Sequence, residues 1–130
     1  MLYTPLARGT RLGPEDTMCS DFATRLRVAT LEGRLRAVWT HPANELAFSF
    51  RKSPRAAIAK ALGLITGATD YLFMWGNGSA ALEAKSRLGG LSSDQRDFRT
   101  WCAAHGVPHH VFRTADEGEA ILQQLGVLDL

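Results

Sequence analysis

The dipeptide Asn77-Gly78, set between two apolar runs, most restricts how this chain can fold. Residues 71–75 and 80–82 form the two runs. Asn-Gly between apolar runs is the strongest short-range signal for a β-hairpin with a two-residue type I′ turn. A turn at this dipeptide pairs Gly76 with Ser79. The sequence therefore predicts two antiparallel strands with a defined register.

Extending that register away from the turn brings charged side chains to one face of the hairpin. Leu72 is expected opposite Glu83, and Asp70 opposite Lys85. Side chains paired across antiparallel strands project from the same side of the sheet, so Asp70 also lies diagonal to Glu83. Two carboxylates and an ammonium group are costly on a buried face unless they have each other or a metal. The pattern predicts a functional site; the alternative is a charge cluster on a solvated face.

The overall composition indicates one soluble domain. The chain has 130 residues, of which 45% are hydrophobic and 22% are charged. No apolar run is long enough for a transmembrane helix, and the N-terminal segment carries Arg8 and Arg11 where a signal peptide needs apolar residues. Cys19 and Cys102 have no paired metal-ligand spacing. We therefore expect a cytoplasmic protein with free thiols and no membrane partner.

Charge is distributed unevenly along the chain. Residues 21–60 contain eight Lys or Arg against three Asp or Glu, whereas residues 115–130 contain four acids and no Lys or Arg. An arginine-rich segment favours phosphate recognition, because each guanidinium offers a planar fork of donors. A solvated helix face accounts for the same charges equally well.

The remaining patterns predict an α-β-α-β-β-α-β-α order. Residues 1–19 are expected to form an N-terminal arm, and helices are expected to begin at Ser20 and at Ser53-Pro54. Capping boxes at Ser92–Gln95 and at Thr114–Glu117 predict two more helices. The strands besides the hairpin are expected within residues 35–41 and 107–113. This order is typical of an α/β fold, with a small mixed β-sheet flanked by helices on both faces.

The predicted cluster suits phosphodiester hydrolysis. That reaction needs a positioned water, relief of charge on the phosphoryl oxygens and help for the leaving alkoxide. Mg²⁺ supplies much of this while using only one or two protein carboxylates, so Asp70 and Glu83 are candidate ligands. The backbone carbonyl of Ala84 is a further candidate ligand. Lys85 is expected to orient the attacking water or to stabilise the phosphate charge.

Several ordered motifs resemble the VRR-NUC group of the PD-(D/E)xK nuclease superfamily over residues 20–128. The motifs are His41-Pro42-Ala43-Asn44, Gly67-Ala68-Thr69-Asp70, Glu83-Ala84-Lys85, Gly89-Gly90-Leu91-Ser92-Ser93-Asp94-Gln95, and Val111, Arg113 and Glu117 near the C-terminus. The resemblance implies a VRR-NUC-like nuclease domain over residues 20–130 with an αβββαβ core. It also implies metal-dependent cleavage of DNA, often of branched DNA.

The resemblance also implies roles for individual residues. Asp70 and Glu83 would be metal ligands and Lys85 the catalytic lysine, with Mg²⁺ or Mn²⁺ as cofactor. Asp21 stands where the family usually carries a glutamate on its first helix and is a possible further ligand. Gln95 would lie beside the active site while also completing its capping box. Thr69 departs from the family pattern, which usually has proline before the aspartate.

Three further residues are candidates for DNA contact. His41 and Asn44 follow a predicted strand and could reach the substrate or a second metal, although a polar turn explains them nearly as well. Arg113, at the end of a predicted strand, could contact a phosphate. An ion pair with the acidic C-terminal segment accounts for Arg113 equally well.

The leading hypothesis is a Mg²⁺- or Mn²⁺-dependent endodeoxyribonuclease, prokaryotic or phage-encoded. By analogy with the family, it would act as a homodimer on four-way DNA, as a Holliday junction resolvase does. One alternative is a non-catalytic DNA-binding module on a nuclease scaffold. Another is a hydrolase or binding protein for small phosphorylated ligands.

Overall fold

The secondary structure follows the predicted order. The computed structural model describes residues 9–42 and 54–130. Its elements are α1 Pro14–Leu31, β1 Val38–Thr40, α2 Pro54–Ala61, β2 Tyr71–Trp75, β3 Gly78–Ala84, α3 Ser93–Ala104, β4 His109–Phe112 and α4 Ala115–Gln124. The predicted α/β class and its mixed, helix-flanked sheet are confirmed.

Helix α1 begins earlier than predicted. The expected start was Ser20, but the helix already begins at Pro14, directly after its N-cap Gly13. Proline suits the first helical position, because its missing N–H would have no partner within the helix there. Glu15 and Asp16 in the first turn also favour this start, through the partial positive charge of the helix N-terminus. The last residues of the predicted arm are therefore helical.

The four strands form one mixed sheet in the order β1-β2-β3-β4. Strand β2 is antiparallel to both β1 and β3. The Ala81 N–H donates to Pro108 O at 2.8 Å, and the Lys85 N–H donates to Phe112 O at 3.0 Å. The equal spacing of these donors and acceptors along the chain shows that β4 runs parallel to β3, with α3 as the connection between them.

The hairpin register differs from the prediction, but the predicted face is kept. Trp75 pairs with Gly78, and Leu72 lies opposite Ala81 rather than Glu83. Each residue of β2 therefore meets a residue two positions earlier in β3 than expected. Because side chains alternate with a period of two, such a shift leaves every side chain on its predicted side.

The turn itself contradicts the predicted type I′ geometry. Gly76 and Asn77 connect the strands, and neither has a positive φ, which a type I′ turn requires at both positions. Gly78 is instead the first residue of β3. A Cβ there would lie 2.8 Å from the indole ring of Trp75. The tryptophan ring therefore lies over Gly78 across the strand pair, and a side chain at this position would have to displace it.

The described residues divide into two compact units. The first comprises the described residues up to Ala37 together with Ala84–Gly89 and Val111–Leu130. In its core Phe22 of α1 packs on Phe112 with ring centroids 4.6 Å apart. Gly118 of α4 permits close approach, since a Cβ there would lie 2.6 Å from the Phe22 ring.

The second unit comprises Gly90–His110 and the described residues of Val38–Glu83. Its buried apolar residues are Ala56, Tyr71, Phe73, Ala80, Ala81, Leu82 and Cys102. No helix within residues 9–42 and 54–130 is both long and apolar enough to cross a membrane.

Candidate functional site

Asp70 and Glu83 both lie at the base of the hairpin. Tyr71 and Leu82 form the last observed pair, so Asp70 directly precedes the paired part of β2 and Glu83 directly follows the partner of Tyr71. Continued by one residue, this register would place Asp70 opposite Glu83, where side chains have Cβ atoms about 5 Å apart. The sequence predicted a diagonal relation between the two carboxylates; a direct one is the expectation from the observed register.

Thr69 closes the hairpin immediately before Asp70. It is fully buried, and its Oγ1 donates to the carbonyl of Leu82 at 2.7 Å. This bond joins Thr69, which precedes Asp70, to Leu82, which precedes Glu83. Proline, which the resembled motif usually has at this position, has no side-chain donor and could not make this bond.

We expect Thr69→Val to lower the free energy of unfolding by about 1–2 kcal/mol. Valine keeps the shape but cannot donate, which leaves the Leu82 carbonyl without this bond in a buried environment. Urea denaturation measures the loss. Thr100→Val is the matched control, because the Thr100 hydroxyl donates to Arg96 O on an exposed helix face. Equal losses in both variants would contradict a special role for Thr69.

Glu83 is buried and held by Gln95. It is 1% exposed, and its Oε1 accepts a hydrogen bond from Gln95 Nε2 at 2.9 Å. The Gln95 side chain also accepts from Ser92 N at 2.9 Å, while Gln95 N donates to Ser92 Oγ at 3.2 Å. The predicted capping box of α3 is therefore confirmed, and the same side chain orients the Glu83 carboxylate.

Lys85 follows β3 and continues its extended ladder through the bond to Phe112 O. Lys85 stands two residues after Glu83 in the sequence, just past the last residue of β3, and its role beside the carboxylates stays a prediction. The lysine side chain is half-buried. Ala84, which lies between Glu83 and Lys85 in the sequence, is fully buried. The role of its backbone carbonyl as a metal ligand stays a prediction.

His41 lies beside the first carboxylate residue. Its Nδ1 is 2.5 Å from the Asp70 backbone oxygen, and its ring is 5.0 Å from the ring of Tyr71. The imidazole itself is exposed. The predicted substrate contact of His41 remains a prediction, and Asn44 lies outside the described residues.

Asp21 is engaged with an arginine. Its Oδ2 is 3.0 Å from Arg25 Nη2, and Arg25 Nη1 also lies 2.5 Å from Asp116 Oδ1. Asp116 first and Asp21 second, through their hydrogen bonds, raise the pKa of the Arg25 guanidinium above its ordinary value. Asp21 as a metal ligand stays a prediction.

The basic segment is partly neutralised by the acidic C-terminal segment. Arg25 also lies 3.5 Å from Glu119, and Arg36 lies 2.6 Å from Asp129. Arg34 pairs with Glu32 within the segment itself. Several of the arginines that suggested phosphate binding thus contact carboxylates, which favours the structural interpretation for them.

Arg113 contacts backbone rather than an acid. Its Nη1 donates to the carbonyls of Ser86 and Gly89 at 2.6 and 2.7 Å. The predicted ion pair with the C-terminal acids is not formed by this guanidinium in the described part of the chain. Instead, the backbone N–H of Arg113 donates to Glu117 Oε2 at 2.7 Å. A contact with DNA phosphate stays a prediction.

Sequence reasoning missed Glu15. Its Oε2 accepts from the backbone N–H of Ser86 at 3.2 Å, so an acid of α1 lies directly beside the residue after Lys85. The signal was present in Gly13-Pro14-Glu15, because proline followed by acids is typical of a helix start.

The carboxylate pair fits a hard divalent cation. No group of three or more His, Cys, Asp or Glu that could hold a metal occurs in residues 9–42 and 54–130. Mg²⁺ needs only one or two carboxylates and keeps several of its waters. A carboxylate as buried as Glu83 is costly unless it is hydrogen-bonded or coordinates a cation. Asp70 and Glu83 therefore match the donor set of Mg²⁺ or Mn²⁺.

His109 of β4 is a half-buried titratable residue near α3. Both its ring nitrogens are buried and have no hydrogen-bond partner within the described residues. Its ring centroid is 6.4 Å from that of Phe98. Burial lowers the pKa of His109, and the charges of Arg99 and His110 lower it further. The folded protein therefore favours the neutral imidazole.

We expect His109 to destabilise the fold on acidification. Its pKa in the unfolded chain is about 6.5, and folding lowers it. The neutral His109 therefore makes its full contribution to the free energy of unfolding above about pH 6.5. That contribution is lost as the pH falls through the lower pKa of the folded state. His109→Phe should reduce the loss of unfolding free energy between about pH 7 and about pH 5, measured by urea denaturation. The exposed His105, changed to Gln, is the control, and an equal reduction there would contradict the assignment.

One solved structure shares this fold over nearly its whole length. It is described as a VRR_NUC domain protein, with a TM-score of 0.63 and 17% sequence identity, and the match covers 92% of this chain and 94% of that one. No protein-family model and no curated protein sequence matches the chain. The fold that the sequence motifs implied is therefore confirmed.

Proposed function

We propose that this chain is a metal-dependent endonuclease that hydrolyses phosphodiester bonds in DNA. The observation that carries the proposal is the buried, hydrogen-bonded carboxylate of Glu83 at the base of the hairpin, where Asp70 immediately precedes the paired part of the facing strand. The likeness to a VRR_NUC domain protein supports it, because that solved structure has the same fold. Glu83-Ala84-Lys85 adds the lysine of the nuclease pattern.

Asp70 and Glu83 would hold the metal ion, Mg²⁺ or Mn²⁺. When bound, the ion supplies charge neutralisation on the phosphoryl oxygens and a more acidic water. Gln95 keeps the Glu83 carboxylate in one orientation, and the Thr69 bond keeps the two carboxylate-bearing strands in register. Lys85, two residues after Glu83 in the sequence, would supply a compact positive charge suited to a phosphate oxygen or an attacking water.

We further propose that the substrate is branched DNA, such as a four-way junction, and that the active form is a homodimer. Resolving a junction needs two symmetrically placed cuts, and a two-fold dimer provides two equivalent sites. These finer assignments rest on analogy with the resembled family.

Cleavage of a panel of linear, flap and four-way DNA substrates in Mg²⁺ tests the proposal. We expect cleavage that stops when EDTA removes the metal, and preference for the four-way substrate. Sedimentation of the protein alone and with the four-way DNA tests the dimer, and a monomer at high concentration would contradict it.

Calorimetric titration with Mn²⁺ separates the enzyme from a non-catalytic binding module. We expect Mn²⁺ binding that Asp70→Asn removes, because that substitution replaces one charged ligand with a neutral amide. DNA binding without metal uptake or cleavage would instead support the binding module. Within the described residues, the ion pairs of Arg25, Arg34 and Arg36 give that alternative little support.

A further inference from the structure

The turn that follows Lys85 is held by side chains from two other elements. Ser86 N donates to Glu15 of α1 at 3.2 Å, and Ser86 O accepts from Arg113 at 2.6 Å. The same Arg113 nitrogen donates to Gly89 O at 2.7 Å, and Gly89 N donates to Ser86 O at 3.1 Å. Both ends of the turn 86–89 are therefore fixed.

The Lys85 side chain lies against this turn. A Cβ placed on Gly89 would lie 3.7 Å from Lys85 Cδ and 2.9 Å from Ser86 Oγ. The aliphatic part of the lysine therefore passes beside the Gly89 end of the turn. The path of that side chain, and hence the position of its ammonium group, depends on where the turn lies.

The backbone of Arg113, from which the side chain extends to the turn, is itself held by a hydrogen bond. Its backbone N–H donates to Glu117 of α4 at 2.7 Å, at the first turn of a helix whose N-cap is Thr114. Both carbonyl bonds use one terminal nitrogen, whose two hydrogens diverge in a fixed plane. An anchored, planar donor pair of this kind fixes the spacing of two carbonyls.

We propose that Arg113 is a positioning residue, which holds the turn 86–89 so that Lys85 extends in one direction. This inference rests on the proposed function, since Lys85 matters for catalysis only if the chain is a nuclease. It differs from the sequence hypothesis that Arg113 contacts a DNA phosphate, and the two roles have different experimental signatures.

Arg113→Ala tests the role in two independent measurements. In the metal-free protein, hydrogen exchange followed by NMR should show faster exchange of the Ser86 amide, because the turn is no longer held from the Arg113 side. In cleavage assays, kcat should fall about 10- to 100-fold, since a displacement near 1 Å can cost this much. The KM for DNA should change little.

Two further variants keep the test decisive. Arg113→Lys retains the charge without the planar pair of donors, so we expect kcat to remain well below that of the wild type. Arg87→Ala removes one charge from the exposed part of the same turn and serves as the charge control. Thermal melting monitored by circular dichroism identifies any variant that fails to fold, and Arg113→Lys then carries the test.

The salt dependence of DNA binding distinguishes positioning from phosphate contact. A lost phosphate contact lowers the slope of log K against log salt by about one and weakens binding. We expect no such change in Arg113→Ala. A lower slope with unchanged kcat and unchanged Ser86 exchange would overturn the proposal. A wild-type protein that does not cleave DNA would overturn the proposed function, while Ser86 exchange would still decide whether Arg113 holds the turn.

Discussion

Asp70→Asn and Glu83→Gln are each expected to lower the rate of metal-dependent DNA cleavage by about a thousandfold or more. Such a loss corresponds to roughly 4 kcal/mol of transition-state stabilisation, within the range that a bound metal ion supplies. Each substitution is nearly isosteric and removes one anionic ligand. Initial rates on the preferred DNA substrate, at saturating Mg²⁺, measure the effect.

The loss of cleavage should not be accompanied by a loss of stability. Glu83 is 1% exposed, so exchange of its carboxylate for an amide removes a buried charge while retaining an acceptor for Gln95. We therefore expect no loss of unfolding free energy in Glu83→Gln. Asp97→Asn, on an exposed position of α3, is the matched charge control and should cleave normally. Metal-dependent cleavage retained at the wild-type rate by purified Asp70→Asn would contradict the assignment of Asp70 as a metal ligand.

Gly67→Ala is expected to cause the largest loss of stability, about 3 kcal/mol or more. Gly67 has a φ of +85°, where a residue with a Cβ is strained by roughly 1–2 kcal/mol. A Cβ would also lie 2.4 Å from the backbone carbonyl carbon of Asp94, which cannot move without displacing the start of α3. Overpacking of this kind adds about 1–3 kcal/mol. Urea denaturation measures the sum.

Gly33→Ala separates the two causes. Gly33 has a similar φ of +75°, but a Cβ there meets nothing within 4 Å. It should therefore show only the backbone strain, and the difference between the variants is the cost of the contact with Asp94. Because Asp94 precedes Gln95, Gly67→Ala should also reduce cleavage. Equal stability losses in the two variants would show that the close contact is unimportant.

In the hairpin, the sequence pattern predicted the two strands but not the turn or the register. The two apolar runs identified both strands, and a shift of two residues leaves each side chain of the paired strands on the face that the sequence predicted. The predicted turn and register were wrong: Trp75 pairs with Gly78, and the tryptophan ring lies over that glycine. A preference for one turn dipeptide is weaker than the packing of a large ring.

The helix starts also include some that the local sequence predicts and some that it does not. The Ser92–Gln95 capping box is a local signal and was confirmed, whereas Thr114 caps α4 while Glu117 bonds to Arg113 instead of closing its own box. Pro14 was read as part of a loop although its local signal favoured a helix start.

The sequence alone determined the order of helices and strands, the two strands of the hairpin, and the cap that begins α3. These depend on periodicity and on contacts between residues close in the chain, which the order of residues specifies directly. Only the tertiary structure decided that Gln95 donates to Glu83, that Arg25 pairs with Asp116, and that Glu15 and Arg113 hold the turn after Lys85. Those contacts join residues distant in sequence, and their partners are selected by packing, which no local pattern encodes.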